Sequence, residues 1–287
     1  MATLLLLKRK IKTAQNVSKT TKAMQMIATS KLNRAQIAAL SSRPFVEKIT
    51  ALTKSVSYKL DDENRPSYMR KSDNDHKLAV VFSPDKGLCG GVNTNIIRQV
   101  LDFDEKEKNV SYLTVGKKAE FALAGGRKDL IASFDFGTTL PIFDQVFPIL
   151  EIIDEYFLSG KVGSVKVICT HFKSVFSQGV AVSDLLPIKI EEQGETNSTS
   201  STLFEPSATE ILPPLLRQYL EMNLYQFFLE NYLSYQAAQM VAMQNATDNA
   251  LELLKDLKLM YNKSRQERIT NEILDISSGA MFAYEQE

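Results

Sequence analysis

An antiparallel coiled coil of the N- and C-terminal helices enclosing a central α/β domain is the fold that this 287-residue sequence predicts. Three observations predict it. From Leu233 to Ala283 the chain has no proline and no glycine before Gly279, and its apolar residues recur at spacings of three and four. The N-terminal stretch repeats that spacing and meets no glycine or proline before Pro44. Between them the pattern changes to short apolar runs alternating with short helical segments, and the termini are expected to meet with this middle part looped out.

In the C-terminal rod, Met243, Ala246, Ala250, Leu253, Leu257 and Met260 form an apolar line whose average spacing is close to the 3.5-residue repeat of a coiled coil. Its partner line at the other end is Leu4, Leu7, Ile11 and Ala14, continued by Met24, Ala28, Leu32, Ala35 and Ala39 after a four/four step that shifts the seam. Both lines are rich in alanine, which lets helix axes approach closely. Ser207 is an N-cap candidate with Glu210 three residues on, and Pro213 and Pro214 then fall in or just past the first turn. A helix from there to Tyr284 is on the order of 110 Å long.

The middle reads as a strand at Leu78–Phe82, a turn, a helix near Asn93–Leu101, a strand at Tyr112–Val115, a helix at Lys117–Ala124 and a short strand at Ile131–Phe136. A helix at Asp144–Leu158, begun or interrupted near Pro148, and strands at Val165–Thr170 and Val180–Leu185 follow. Strands alternating with helices indicate a largely parallel sheet. The expected organisation is a helix over 1–60, a polar linker over 61–76, the α/β domain over 77–190, a flexible acidic Ser/Thr-rich loop over 191–206, and a helix over 207–287.

Composition is that of a packed protein with amphipathic helices: 44% hydrophobic, 24% charged, with no apolar run near the ~20 residues of a membrane span. No signal for export is expected, so Cys89 and Cys169 are read as buried free thiols. The net charge of zero conceals a polarity along the chain. Lys8, Arg9, Lys10, Lys12, Lys19, Lys22, Lys31 and Arg34 meet no Asp or Glu before Glu47. A rod so charged is either a solvated face or seeks nucleic acid, an anionic surface or an acidic protein sleeve. Interleaved aromatics are missing from it, which argues against nucleic acid.

No catalytic set assembles. Gly87-Leu88-Cys89-Gly90-Gly91 follows a strand and precedes a helix, as a phosphate loop does, but its spacing fits no nucleotide fingerprint and no cofactor is expected. His76 and His171 lack neighbours at metal-ligand spacing, and no metal is expected. Cys169 or Ser177 near His171 reads as coincidence, on the expectation that neighbours along a strand face opposite ways. Arg265, Gln266, Arg268, Thr270 and Glu272 crowd the rod beyond its seam, and on chemistry alone they are either exposed helix or a recognition patch for carboxylates.

Three segments carry a resemblance: Thr20-Thr21-Lys22-Ala23-Met24-Gln25-Met26-Ile27-Ala28, Asp85-Lys86-Gly87-Leu88-Cys89-Gly90-Gly91-Val92-Asn93-Thr94-Asn95, and Tyr261-Asn262-Lys263-Ser264-Arg265-Gln266 with Ile269-Thr270-Asn271-Glu272-Ile273. In this order, over the whole chain, they resemble the gamma subunits of F-type ATP synthases. The resemblance implies a Rossmann-like central domain and a non-catalytic rotor shaft. It implies alpha and beta subunits around the shaft, and epsilon and the membrane c-ring at its foot. It assigns Arg265, Gln266 and Thr270 to contacts with an acidic beta-subunit loop, Lys22 and Met24, with Lys8 and Arg9, to the neighbouring shaft surface, and 273–284 to an apolar bearing. The location implied is the bacterial cytoplasm at the inner face of the plasma membrane, or the mitochondrial matrix face for a processed organellar chain. Tyr235-Gln236-Ala237-Ala238-Gln239-Met240 departs from the family's charged pattern, which implies an altered ion pair on the shaft. The reading set against all this is a basic coiled-coil adaptor for nucleic acid or an anionic surface.

Overall fold

The computed structural model describes residues 2–57, 66–70, 72, 74–188, 205 and 207–284. The chain divides into two compact units, one made of Met1–Ile27 with Met240–Glu287 and the other of Ala28–Gln239. Helices α1 (Ala2–Ser57) and α5 (Ala208–Tyr284) contribute to both. The stretch read as an acidic loop, 191–206, lies outside the described residues apart from Glu205, as does 61–65 of the expected linker.

In the first unit α1 and α5 pack as a helix pair, and the seam differs in phase from the sequence reading. On α5 the residues turned inward are Met243, Thr247, Ala250, Leu254, Leu257, Tyr261 and Ser264, while Leu253 and Met260 are more than half exposed. On α1 the sheltered positions run Leu4, Leu7, Ile11, Ala14, Ser18, Thr21, Gln25, Ala28, Leu32, Ala35 and Ala39. Through Ser18, Thr21 and Gln25 that is an uninterrupted three/four alternation, and Met24, half-buried like Gln25, lies beside it at the head of the sheltered line Ala28, Leu32, Ala35 and Ala39. Ser18, Thr21, Gln25 and Thr247 hold sheltered positions although they are polar, and for the two threonines the hydroxyl bonds within its own turn. Thr21 Oγ1 lies 3.0 Å from Val17 O and Thr247 Oγ1 donates to Met243 O at 2.8 Å, while the two hydroxyls meet each other at 2.7 Å. A count of apolar residues alone skips such positions and drifts onto the neighbouring line.

The second unit is built on a five-stranded sheet: β1 (Lys77–Phe82), β2 (Val110–Val115), β3 (Leu130–Phe134), β4 (Ser164–Ser174) and β5 (Ser177–Leu186), in the order β3-β2-β1-β4-β5. The first four strands are parallel and β5 closes one edge as an antiparallel hairpin with β4. Helices α2 (Val92–Lys106), α3 (Lys117–Gly125) and α4 (Phe147–Leu158) connect the parallel strands. Strand β1 is central and shows why: five of its six residues, Leu78 to Phe82, are fully buried, as an apolar strand covered on both faces must be. Strand β3 stops at Phe134, two residues short of the expected Phe136, because the amides of Phe136 and Gly137 turn to the Asp85 carboxylate at 3.2 and 2.7 Å. The helix expected from Asp144 begins at Phe147, with Pro148 in its first turn where a missing N–H costs nothing, after a 3-10 turn over Phe143–Val146.

Part of the stretch read as a linker is anchored. The hydroxyl of Tyr68 donates to Asp154 of α4 at 2.9 Å, Asp154 is also bound by Arg217 of α5, and the side-chain amide of Asn74 reaches Gly160 O and Lys161 O. Burial first, then the Asp154 carboxylate, push the Tyr68 hydroxyl up to about 12. On α5, Ser207 caps as expected, accepting from the Glu210 amide at 3.3 Å.

The seam phase is open to test. Leu257→Ala removes a side chain that is 8% exposed and Leu253→Ala one that is 53% exposed. The first is expected to destabilise the chain by about 2–5 kcal/mol and the second by well under half of that, read as thermal unfolding of the purified chain. Equal losses would restore the phase read from the sequence.

Candidate functional site

Two regions of this chain are candidates for function: the outward surface of the helix pair, and the carboxyl ends of the sheet's strands.

On the helix pair, Lys8, Arg9, Lys22, Arg265, Gln266 and Thr270 are all exposed, and Met24 is half-buried beside the seam. They do not form one patch. The Thr21–Thr247 contact sets Lys22 and Met24 beside the Met243–Thr247 turn of α5. Arg265 lies eighteen residues beyond Thr247, roughly 27 Å along the helix. Two bands of contact groups therefore stand on one rod. Within the band further along α5, Arg268 is tied to Glu272 at 2.7 Å and Thr270 Oγ1 donates to Gln266 O at 3.0 Å. Among the described residues the side chains of Arg265 and Gln266 have no such partner, so these two are the groups left to bind elsewhere. Apolar side chains alternate with the charges: Leu5, Leu6, Leu259, Met260, Ile269, Ile273, Leu274 and Ile276 are each about half exposed or more. Such a density of exposed apolar residues marks a surface that is covered in use.

The second region is where an open α/β sheet takes a ligand: the crevice beyond the carboxyl ends of the strands, at the point where the strand order reverses. In this sheet the reversal falls between β1 and β4. That crevice is filled by α5. Phe228 packs edge-on against Phe82 at the end of β1, with ring centroids 4.9 Å apart, and stacks on Phe136 at 5.8 Å. Tyr232 also stacks on Phe136, at 6.3 Å. Tyr235 and Ala238 belong to the core that also holds Cys89, Val92 and Ile96. From Asn231 to Ala238 every residue of α5 is buried, the signature of a helix enclosed on all sides.

The glycine loop after β1 serves this arrangement. Asp85 accepts the amides of Lys117, Phe136 and Gly137, drawing the N-terminus of α3 and the end of β3 onto the loop. Ser83 adds to it by donating to Gly116 O at 3.0 Å and accepting from Ala119 N at 2.9 Å. Gly116 is required there: its φ is +114° and a Cβ would lie 1.9 Å from Ser83 O. Cys89 turns inward and is 1% exposed, and burial pushes its thiol up despite the opposing Asn93 amide and Lys118. Tyr235 lies in the same core, its hydroxyl pushed up to about 12 by burial, with Cys89, Tyr232 and Asp85 adding to the shift. Position 235, in the segment whose departure from the family's charged pattern implies an altered ion pair on the shaft, is thus inside the α/β unit, where an unpaired charge would be costly.

A constellation that the sequence reading dismissed does assemble. Residues two apart on a strand share a face, and Cys169 Sγ lies 3.6 Å from His171 Nε2 while His171 Nδ1 bonds Glu230 of α5. Nucleophile, base and carboxylate are in the order that activates a thiol. The chemistry is nevertheless wrong for it. Cys169 is fully buried, and burial, with Glu230 adding, pushes its thiol far up, so it is protonated at neutral pH. The group is a structural joint between β4 and α5. Among the described residues no cluster of His, Cys, Asp or Glu has the geometry to hold a metal ion, and no helix is long and apolar enough to cross a membrane.

A helix pair continuous with an α/β unit whose ligand crevice is closed by one of those same helices is the class of protein that this geometry defines. Comparison with known proteins agrees. The family model described as ATP synthase matches residues 3–281. The ATP synthase gamma chain of Ruthia magnifica subsp. Calyptogena magnifica is 36% identical over 280 residues, covering 96% of this chain and 97% of its own length. That of Dehalococcoides mccartyi (strain CBDB1) is 37% identical over 282 residues, covering 98% and 99%. In fold, the chain is similar to a chain of the Euglena gracilis mitochondrial ATP synthase in rotational state 3, with a TM-score of 0.68 at 19% identity, covering 100% of this chain and 97% of that one. A chain of the same organism's rotor in rotational state 1 gives 0.64 at 18%, covering 93% and 99%. This chain belongs to the ATP synthase gamma-chain family.

The joint makes a prediction about acid stability. Burial alone would push the Glu230 carboxyl up, but bonds from His171 and Gln226, with Arg43 nearby, hold it below its ordinary value of 4.5. A lowered carboxylate value contributes stability that is present above 4.5 and lost as pH falls through the lowered value. His171→Ala removes the largest of the groups that lower it, so its acid-unfolding midpoint is expected at higher pH than the parent's. An unchanged midpoint would dissociate Glu230 from the acid limb. Gly116→Ala is expected to cost several kcal/mol in denaturant unfolding, more than any other Gly→Ala among the described residues of the sheet unit except Gly163, whose Cβ would lie 1.8 Å from Asn74 O.

Proposed function

We propose that this chain is the central rotor shaft of an F-type ATP synthase, non-catalytic itself, turned at its foot by the membrane c-ring and turning inside a ring of alpha and beta subunits. The observation that carries the reading is the family match over nearly the whole chain, with the charged and apolar bands on the helix pair giving it a physical basis. A shaft must bias each catalytic neighbour in turn without trapping any of them, since a ligand shifts an equilibrium only by its differential affinity for the states. Many modest contacts suit this better than one tight one. The basic α1, with Lys8, Arg9 and Lys22 exposed, is complementary to acidic loops on the surrounding subunits. Arg265 and Gln266 are the groups free to bond a beta-subunit carboxylate, with Thr270 as an acceptor, because its proton already goes to Gln266 O. The exposed Ile273, Leu274 and Ile276 begin the apolar bearing surface. Epsilon at the foot, and a place on the inner face of a bacterial plasma membrane, complete the reading, the bacterial setting being supported by the bacterial relatives.

The test is assembly. Mixed with cognate alpha and beta subunits, the chain is expected to co-elute with them and to raise ATP hydrolysis strongly over the mixture lacking it. Failure with competent partners would favour the basic adaptor, whose mark is salt-sensitive binding to nonspecific DNA. In the assembled complex, Arg265→Ala with Gln266→Ala and Thr270→Ala is expected to lower turnover several-fold while the melting temperature of the free chain moves by no more than a degree or two, since exposed charges contribute little stability. Parallel losses in both would make these residues structural.

A further inference from the structure

We infer that Asn231 and Ser234 of α5 act together as a side-chain continuation of strand β1, and that this pairing positions α5 in the crevice of the sheet. The last pairing of β1 with β4 is Val81 with Ile168, and β1 ends at Phe82. Two residues further along β4, Thr170 is paired on one side with Val180 of β5 and has no strand on the other. It is 1% exposed, so its main-chain groups on that side cannot be left to water.

Both are met by α5. Asn231 Oδ1 accepts from Thr170 N at 3.4 Å, and Ser234 Oγ donates to Thr170 O at 3.3 Å. In a strand the N–H and C=O of one residue point to the same neighbour, and residues i and i+3 of a helix lie on one face. One acceptor and one donor at that spacing therefore replace what the continuation of β1 would offer. Asn231 and Ser234 are themselves 1% and 0% exposed.

Apart from the His171–Glu230 joint and a long bond from the Tyr232 hydroxyl to Thr138 O, the rest of the contact is apolar or aromatic and has no direction. Because α5 is buried on every side from Asn231 to Ala238, sliding it by one turn would exchange one set of apolar contacts for another. It would also leave two buried backbone groups of Thr170 unpaired, each at the cost of a lost hydrogen bond. The pair is not tuned for adhesion: both bonds are long, and Thr170 Oγ1 and Asn231 Nδ2 are buried with no partner among the described residues. Retained polar groups that stabilise little but exclude alternatives fix a register. The inference concerns this chain alone and stands whether or not the rotor reading does.

Asn231→Leu and Ser234→Ala test it in the full chain. Spin labels at Phe121→Cys of α3 and Gln218→Cys of α5, both exposed, report the seating of α5, while Cys89 and Cys169 are buried. The parent is expected to show one narrow distance distribution and a slowly exchanging Thr170 amide. In either variant the distribution is expected to broaden or shift, and the Thr170 amide of Asn231→Leu to exchange at least tenfold faster, while the amides of β1 remain protected. An unchanged distribution in both variants would overturn the inference. So would a uniform loss of protection in β1 and β4 in the milder Ser234→Ala, which would make the pair ordinary packing. If Asn231→Leu alone loses the fold, Ser234→Ala is read by the same criteria.

Discussion

Burial of α5 at the carboxyl ends of β1 and β4 is the contact on which the second unit depends. Phe228, Tyr232 and Tyr235 place three aromatic rings there, each worth on the order of 1.5–3 kcal/mol on burial, against Phe82 and Phe136 and in the core that holds Cys89. The same segment of α5 carries Glu230 to His171 and joins Asn231 and Ser234 to Thr170. Strand ends, glycine loop and helix are thus one packed body. A sheet of this topology elsewhere keeps its crevice open for a ligand; in this chain its own helix occupies it.

That occupancy explains why a loop with the look of a phosphate site has another use. Asp85 is committed to the amides of Lys117, Phe136 and Gly137, and Cys89 is turned into the core beside Tyr235. Of the loop's glycines, Gly90 takes the left-handed conformation, with φ +58°, that the turn into α2 requires. The same logic applies to Cys169, His171 and Glu230, whose geometry suggests a reactive thiol and whose burial removes the reactivity. In both places burial, not residue identity, decides the chemistry.

Much of the fold is legible in the sequence. The long helices, the succession of strands and helices along the chain, the largely parallel sheet and the Ser207 cap follow from periodicity and turn chemistry. What escapes is wherever polar residues do buried work. Ser18, Thr21, Gln25 and Thr247 occupy sheltered positions that reading only apolar residues skips, and on α5 that reading runs through Leu253 and Met260 where Leu254 and Tyr261 are turned inward. Asn231, Ser234 and Gln236 are fully buried, and nothing in a one-dimensional pattern distinguishes them from an exposed polar face. The exposed candidates Arg265, Gln266 and Thr270 emerge through resemblance; their split from Lys22 and Met24 into separate bands needs the Thr21–Thr247 contact.

Hydrogen exchange along α5 tests the central claim most directly. If residues 228–238 are enclosed by the sheet unit, their amides open only when that unit unfolds, and their protection should equal that of β1 and β4. The exposed stretch 265–277 of the same helix should exchange faster by several orders of magnitude in the isolated chain. Residues 228–238 exchanging as fast as 265–277 would mean that α5 does not fill the crevice, and would contradict its role as the element that closes the sheet unit.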